Sequence, residues 1–479
     1  MPPDYNLLEY HRGAITAPAG CGKTQIIADT LALHTGTRPV LILTHTNAGV
    51  TTLRLRMQRA GVSAVAYRIA TIDGFAMRLV AMFPARSGLN VEVLQLRNRR
   101  TDYPAIRQAA CQLLQAGHLN DILAASYAHL IVDEYQDCNL VQHALVTALS
   151  TVLPACVLGD PMQAIFGFRG NQLVDWDAHV LSHFPLIGEL NHPWRWANAG
   201  APELGRWLLD CRRMLLNGNA IDLRQVPAEV TWVPLRAETV VQQRLTAALT
   251  RAVTANGQVL VIGNSYDTRG RQQMASQTPG ATTVEAVDLV DLTDFGAAFN
   301  LDAADALTRL VQFAAGVMTQ VGPAALLPRL ETLRRGRARN PPTVAEAALV
   351  AFAERPGFTL AAEALRLLTR QDNARVYRPE VLRCCLRALQ SAAAGGCTFA
   401  DATVNERERN RHESRPLARR VIGSTLLLKG LEGEVAVITS PEEMDARHLY
   451  VAMTRGSSRL VVCSLTPMLS ALARKSHLP

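Results

Sequence analysis

A run of small residues followed by a lysine and a threonine lies near the start of the chain. Residues 14–24 read Ala-Ile-Thr-Ala-Pro-Ala-Gly-Cys-Gly-Lys-Thr, and a helical pattern follows. Small residues let several backbone N–H groups point at one spot, and the positive end of a helix dipole favours an anion there. The Lys23 ammonium can reach nucleotide phosphates, and the Thr24 hydroxyl can ligate Mg²⁺. The run predicts a P-loop, although Ala17 replaces the first glycine of the GxxxxGK[ST] pattern.

The lysine at position 23 is informative because lysine is rare in this chain. Among 49 Lys and Arg residues only three are lysines, namely Lys23, Lys429 and Lys475. The planar fork of an arginine does not replace a compact ammonium on a phosphate. A plain small-residue turn before a helix is the simpler alternative, and the retained lysine favours a phosphate site.

A pair of carboxylates forms the second chemical landmark. Residues 129–134 read His-Leu-Ile-Val-Asp-Glu, which is an apolar strand pattern that ends in two acids. In open α/β sheets, ligands bind at the carboxyl ends of the strands. Asp133 is therefore predicted to hold Mg²⁺ and Glu134 to polarise the attacking water. A strand that merely ends in acidic turn residues is the alternative, and Lys23 upstream argues against it.

A third segment combines aromatic rings with an arginine on a loop. Residues 155–160 predict a strand, and residues 161–170 read Pro-Met-Gln-Ala-Ile-Phe-Gly-Phe-Arg-Gly. Phe166 and Phe168 are suited to stacking on bases and Arg169 to gripping a phosphate. Taken alone, the two rings would more simply be core anchors.

Strand and helix patterns alternate along the rest of the chain. Short apolar runs typical of buried parallel strands lie at 39–46, 257–264, 420–425, 435–438 and 460–463. Residues 87–128 look mostly helical and basic, and residues 290–400 form an Ala/Leu/Arg-rich helical block. The dense Arg/Glu segment 405–420 is predicted to be an exposed connection. Strands on both sides of a helical block predict an α/β fold with a helical insertion.

Composition limits the class of protein. The 479 residues are 48% hydrophobic and 19% charged, as in ordinary globular chains. We see no run of 18 or more apolar residues and no signal-peptide pattern, so we expect a cytoplasmic protein without a membrane span. Nine scattered cysteines fit reduced thiols in that compartment. A net charge of +8 permits a polyanionic partner.

Taken in order, these motifs resemble the superfamily 1 helicases of the UvrD/Rep/PcrA group over nearly the whole chain. The similar segments, with the family pattern in parentheses, are 17–24 (AGAGSGKT), 44–47 (TFTN), 71–75 (TFHGF), 132–137 (VDEFQD), 159–170 (GDxxQSIYxWRG), 191–195 (NYR), 429–432 (KGLE) and 450–455 (YVAxTR). The LNxxQ element that precedes the family's P-loop is not visible, and Leu426 stands where the family has a histidine. Both accessory insertions are shorter than usual, so the chain is a compact version.

The resemblance implies roles for the matching residues, with ATP and Mg²⁺ as cofactors. Nucleotide contacts would come from Ala19, Gly20, Cys21, Gly22, Lys23, Thr24, Gln25, Trp194 (on adenine) and Glu432 (on the ribose). The metal ligands would be Thr24 and Asp133. The catalytic residues would be Lys23, Glu134, Gln163 as the γ-phosphate sensor, and the arginine fingers Arg195 and Arg455. The DNA contacts would be Thr46, Asn47, Asp73, Phe166, Phe168 and Arg169.

The resemblance also implies an architecture and an activity. The fold would be α/β, with two RecA-like parallel-sheet domains and a mainly helical insertion in the second. The expected ranges are 1–188 for the first domain, with a short helical insertion near 87–128, 189–290 and 416–479 for the second domain, and 291–415 for its insertion. The implied activity is an ATP-dependent 3′→5′ helicase or translocase on single-stranded and 3′-tailed duplex DNA, in DNA repair or phage defence. The alternative is a DNA-stimulated ATPase subunit that regulates a nuclease partner and unwinds little, as in Gabija-type defence systems.

Overall fold

The chain divides into two compact units in the computed structural model. The residues that the structure describes are 5–167, 171–410 and 418–472. Unit 1 contains the described residues of Met1–Val230, Glu442–Ser458 and Met468–Pro479. Unit 2 contains those of Thr231–Pro441 and Arg459–Pro467.

A six-stranded sheet forms the centre of unit 1. Its strands are β1 (Arg12–Thr16), β2 (Val40–Thr44), β3 (Tyr67–Thr71), β4 (Leu130–Val132), β5 (Ala155–Gly159) and β6 (Leu186–Glu189). The spatial order is β3-β2-β4-β5-β1-β6, and neighbouring strands pair in parallel. Strands β2, β4 and β5 are buried along their whole length, as expected for Val/Ile/Leu-rich strands covered on both faces. All six strands therefore end at the same edge, where the P-loop leaves β1 and the acidic pair leaves β4.

Helices connect these strands and cover the sheet. They are α1 (Lys23–Ala32), α2 (Asn47–Arg59), α3 (Ile72–Met82), α4 (Pro84–Ser87), α5 (Arg99–Gln115), α6 (Asn120–Ser126), α7 (Leu140–Leu149), α8 (Trp194–Asn198) and α9 (Pro202–Leu216). The segment between α3 and β4 is mostly helical, as its composition predicts. The short strand β7 (Ile221–Asp222) follows α9.

A second six-stranded sheet organises unit 2. Its strands are β8 (Val230–Pro234), β9 (Val259–Gly263), β10 (Ala281–Thr283), β11 (Arg420–Ser424), β12 (Gly433–Ile438) and β13 (Gly456–Ser464), in the order β10-β11-β9-β12-β13-β8. The pairs β10–β11, β11–β9 and β9–β12 are parallel. In unit 1 a short antiparallel pair joins β7 to β14 (Met468–Leu469).

The helices of unit 2 fall into two groups, of which the larger interrupts the sheet. The first group is α10 (Val240–Ala248) and α11 (Thr268–Gln277). The second, between β10 and β11, is α12 (Val290–Ala298), α13 (Ala306–Ala315), α14 (Pro323–Arg334), α15 (Val344–Glu354), α16 (Phe358–Leu368), α17 (Pro379–Ala393) and α18 (Phe399–Asn410). These helices share an apolar core. The predicted fold class, two RecA-like sheets with a mainly helical insertion in the second, is confirmed.

The sequence-based prediction of an exposed connection over 405–420 is wrong for its first part. Helix α18 continues to Asn410, and Glu406 is buried on it. The charge density of the segment predicted exposure, but Arg409 donates to the Glu406 carboxylate at 2.8 Å and compensates its burial. Residues 411–417 lie outside the described residues.

Helix α19 (Ala446–Met453), the last helix among the described residues, belongs to unit 1. Residues 189–230 and 442–458, which the resemblance assigns to the second domain, pack within unit 1, so Arg195 and Arg455 share a unit with the P-loop. Among the described residues no helix combines the length and the apolar character that crossing a membrane requires.

Candidate active site

The loop between β1 and α1 has a backbone that requires glycine at two positions. Gly20 has φ +72° and Gly22 has φ +90°, which residues with a Cβ rarely adopt. A Cβ on Gly20 would also lie 2.6 Å from Cζ3 of Trp196. Helix α1 begins directly after this curl, at Lys23. The positive end of the helix dipole therefore lies at the loop, as an anion site needs.

The Lys23 ammonium lies between the two acids that follow β4. Its Nζ is 3.0 Å from Asp133 Oδ1 and also donates to Glu134 Oε1. Only 11% of the Lys23 side chain is exposed. Burial alone would lower the pKa of Lys23, but the charges of Asp133 and Glu134 outweigh it and raise the pKa above its ordinary value. Lys23 therefore carries a full positive charge at the carboxyl edge of the sheet.

Glu134 is held in a fixed and unusual conformation. Its φ of 57° and ψ of 39° are left-handed, a conformation that costs about 1 kcal/mol or more outside glycine. Its backbone N–H donates to Asp133 Oδ1 at 3.0 Å. Gln136 Nε2 donates to Glu134 Oε2 at 2.6 Å, while Gln136 Oε1 accepts from the backbone N–H of Asp160 at 3.1 Å. The carboxylate is thus oriented by Gln136, a residue to which the sequence motifs assign no role.

A buried ion pair lies beside this cluster and was not predicted from the sequence. Asp160, directly after β5, is fully buried, and its Oδ1 lies 2.9 Å from Nη2 of Arg212 on α9. The other oxygen, Oδ2, accepts from Gln163 Nε2 at 3.0 Å. Asp160 and Arg212 are 52 positions apart in sequence, so no local sequence pattern predicts that they pair.

The two predicted arginine fingers meet at one residue. Arg195 Nη1 donates to the backbone oxygen of Thr454 at 2.8 Å. Arg455 Nη2 donates to the Thr454 hydroxyl at 3.1 Å, and its Nε donates to Val451 O at 2.9 Å. The backbone N–H of Arg195 also donates to Gly20 O at 3.1 Å. The chain thus brings two guanidinium groups to the neighbourhood of the P-loop.

Tyr450 contacts the P-loop itself. Its hydroxyl accepts from the backbone N–H of Ala19 at 3.1 Å, across 431 positions of sequence. Burial raises the pKa of Tyr450 well above its ordinary value, so the hydroxyl stays neutral. Helix α19 is therefore joined to the P-loop by a hydrogen bond that no sequence spacing would reveal.

The other predicted nucleotide residues, Cys21, Trp194, Gln25 and Glu432, have four different surroundings. Cys21 is buried, and burial raises the pKa of its thiol to about 12, so it is an apolar packing group. The Trp194 ring lies against the loop, with Cδ1 3.1 Å from where a Cβ on Gly22 would be. Gln25 is exposed and donates to Asp29 at 2.7 Å. Glu432 lies in unit 2, exposed, immediately before β12.

The predicted DNA residues that follow β2 lie close to the Phe166 loop. Thr46 caps α2 by accepting from the backbone N–H of Gly49 at 3.1 Å, and Asn47 is exposed as the first helical residue. The ring of His45 stacks on Phe166 with centroids 5.9 Å apart. Phe168 and Arg169 lie outside the described residues.

Asp73 has protein partners that its sequence motif does not indicate. Arg107 donates to its two oxygens at 2.7 and 2.6 Å, and Gln142 donates at 2.9 Å. Burial would raise the pKa of Asp73, but the Arg107 hydrogen bonds outweigh it and lower the pKa. This carboxylate joins α3 to α5 and α7.

The residues of this site fit a nucleotide with Mg²⁺. The Lys23 ammonium already lies 3.0 Å from Asp133 Oδ1, which shows that this carboxylate faces a position of positive charge. Carboxylate and hydroxyl oxygens, as on Asp133 and Thr24, are ligands that Mg²⁺ prefers. The phosphates would bind to the backbone N–H groups of the P-loop and to the Lys23 ammonium. The arrangement defines a P-loop α/β protein with an acidic pair after β4, which is separated from the P-loop strand β1 by β5.

A known protein family matches the part of the chain that contains the acidic pair. Residues 89–175 match the family described as the UvrD/REP helicase N-terminal domain. That segment carries Asp133, Glu134 and Gln163. The predicted resemblance to UvrD-like superfamily 1 helicases is confirmed by this match and by the curated relatives.

Curated relatives match over short segments. A subunit of an ATP-dependent helicase/nuclease of Lacticaseibacillus casei (strain BL23) is 38% identical over 76 residues, 14% of this chain and 6% of that protein. A probable DNA helicase of Mycoplasma pneumoniae is 36% identical over 77 residues, 16% of this chain and 15% of that protein. The chain thus covers only a small part of the length of these relatives.

A solved structure of arterivirus nonstructural protein 10, a helicase in complex with DNA, also matches. The match covers 96% of this chain and 63% of that chain, with 10% identity and a TM-score of 0.36. A likeness of this size carries no argument about function.

Proposed function

We propose that the chain is an ATP-dependent DNA helicase or translocase that moves 3′→5′ on single-stranded DNA, in DNA repair or phage defence. The observation that carries this proposal is the Lys23 ammonium between Asp133 and Glu134, at the foot of a glycine-dependent loop. A phosphate-binding lysine beside a metal-binding acid and a general base is what ATP hydrolysis requires. The family match over the acidic pair adds support.

Each charged group of the site has a task in this proposal. Lys23 and the P-loop backbone bind the phosphates, and Thr24 and Asp133 would hold Mg²⁺, which would supply charge neutralisation. Glu134 accepts the proton of the attacking water. Gln163 senses the γ-phosphate, three residues before Phe166 on the proposed DNA loop. ATP binding at this site would thereby change the affinity of the Phe166 loop for single-stranded DNA.

Replacing Phe166 by Ala should weaken DNA binding and spare nucleotide binding. Loss of a base-stacking ring costs about 1–3 kcal/mol, equivalent to roughly 5- to 150-fold in affinity. We expect weaker single-strand affinity by fluorescence anisotropy and weaker DNA stimulation, with the DNA-independent ATPase rate retained.

The matched control for Phe166 is Phe83→Ala, which removes another half-buried ring of unit 1 that packs on the core. Both variants lose apolar packing, but only Phe166→Ala should lose DNA affinity. If Phe166→Ala unfolds at lower temperature and binds DNA normally, the ring is a core anchor.

A second candidate function is a DNA-stimulated ATPase subunit that regulates a nuclease and unwinds little by itself. The specific support is that curated relatives are named as subunits of a helicase/nuclease. The compact insertion between α3 and β4 also favours it, because unwinding needs a part that grips or splits the duplex.

A strand-displacement assay on 3′-tailed and 5′-tailed duplexes of increasing length decides between the two functions. We expect ATP-dependent movement from the 3′ tail, with unwinding restricted to short duplexes. Processive unwinding by the chain alone would refute the regulatory subunit. Preference for the 5′ tail would refute the proposed polarity. Lys23→Ala, which cannot hydrolyse ATP under this proposal, is the control for passive melting.

A further inference from the structure

The guanidinium of Arg212 joins the strands on either side of β1. It binds Asp160 Oδ1 through Nε at 3.2 Å and Nη2 at 2.9 Å. Its Nη1 donates to Glu189 Oε1 at 2.9 Å. Asp160 directly follows β5, and Glu189 ends β6, and these strands flank β1 in the sheet. Arg212 therefore ties together the two neighbours of the strand that leads into the P-loop.

The Asp160 carboxylate is the link between Arg212 and Gln163. Its Oδ1 accepts from Arg212 and from the backbone N–H of Met162 at 3.1 Å, while Oδ2 accepts from Gln163 Nε2 at 3.0 Å. The backbone N–H of Gln163 also donates to Asp160 O at 2.8 Å. The Asp160 carboxylate therefore helps to fix the orientation of the Gln163 amide.

The Asp160–Arg212 ion pair is buried, and burying two charges costs free energy. Asp160 is fully buried, and Arg212 is 5% exposed. Taking two charges out of water is expensive, and an apolar pair of similar volume is often as stable. Helix α9, which carries Arg212, contacts α19, and α19 contacts the turn Pro161–Gln163. The Arg212–Asp160 ion pair thus lies close to α19, to the turn Pro161–Gln163 and to the strands that flank β1.

We propose that Arg212 is a positioning residue that, through Asp160, holds the Gln163 amide in the orientation that reads the γ-phosphate. This inference rests on the proposed ATPase function. Arg212 touches no phosphate in this assignment; its effect passes through the Asp160 carboxylate. The consequence is that loss of the pair should slow DNA-stimulated turnover more than it weakens ATP binding.

Asp160→Asn is the sharpest test because it preserves shape. A carboxylate accepts on both oxygens, but an amide presents one Nδ2 donor, which must face either Gln163 Nε2 or Arg212. We expect the DNA-stimulated kcat to fall about tenfold, as for one misplaced hydrogen bond, and KM for ATP to change less than about threefold. Arg212→Lys keeps the charge without the fork and should lie between this variant and the wild type.

The matched control is Arg213→Lys, on the exposed face of the same helix, where Arg213 is 72% exposed. If Asp160→Asn and Arg212→Lys melt at a lower temperature but keep the wild-type kcat per folded site, Arg212 is a purely structural residue and the proposal is overturned. A raised KM with unchanged kcat would overturn it as well.

Crystal structures of the wild type and Asp160→Asn make the test independent of activity. The Gln163 amide should leave its Asp160-bound orientation in the variant, and an unmoved amide overturns the proposal. If the wild type shows no DNA-stimulated ATPase, the proposed function fails, while the position of the amide still decides whether Arg212 positions Gln163.

Discussion

Glu134→Gln should leave ATP binding intact and slow hydrolysis by roughly 10²-fold or more, because the amide cannot accept the proton of the attacking water. The wild-type carboxylate is held by Lys23 and Gln136, so its orientation does not depend on substrate. Lys23→Ala should abolish turnover, because the phosphate contact that strengthens in the transition state is lost. Single-turnover hydrolysis and binding of a fluorescent ATP analogue measure the two effects separately.

Folding of these variants can be checked against a matched surface acid. In Glu134→Gln the ammonium keeps Asp133 as a partner at 3.0 Å, so the variant should melt close to the wild type. Glu203→Gln, on the exposed side of α9 with Arg206 as its partner, is the control for removing one ion-paired carboxylate. Normal turnover in both Glu134→Gln and Lys23→Ala would contradict the proposed mechanism.

The parts of the site that depend on local sequence could be predicted. A P-loop is contiguous, and Asp133 and Glu134 follow directly on an apolar strand, so residue type and order suffice to predict both elements. The parallel strands were predicted because buried strands read as uninterrupted apolar runs. The helix predicted after residue 24 is present, although α1 already begins at Lys23.

The parts that depend on long-range packing could not be predicted. Tyr450 on α19 reaches Ala19, and Arg212 on α9 reaches Asp160, only because the fold brings these helices to the P-loop side of the sheet. Neither spacing carries a periodic signal. Asp73 was interpreted as a DNA residue because its motif is similar to a family element. The partner that occupies its carboxylate, Arg107, lies 34 positions later on another helix.

The prediction for Glu406 was wrong, since its charged segment was predicted to be exposed. Burial of a carboxylate depends on whether a cation meets it, and Arg409 does so one turn later on the same helix. The sequence contains both residues, but composition alone does not say that they pair. A helical i,i+3 spacing of opposite charges is the signal that could have indicated it.

Arg195→Ala and Arg455→Ala should each slow ATP hydrolysis by about 10³- to 10⁵-fold, the range of a single arginine finger. The structural reason to expect coupling is that both guanidinium groups bind Thr454, one at its backbone oxygen and one at its hydroxyl. Removing either should disturb the placement of the other. The double variant should therefore lose much less than the product of the two single effects.

A double-mutant cycle on single-turnover rates measures this coupling, and the exposed Arg206→Ala on α9 is the control for loss of a cation in unit 1. Arg455 is buried, so its truncation also leaves the Val451 carbonyl without this donor, and thermal melting must accompany the kinetics. Arg195→Lys separates charge from geometry, because lysine keeps the charge and loses the planar fork. If the free-energy losses of the two single variants add, the arginines act on separate steps, and their meeting at Thr454 only shapes the fold.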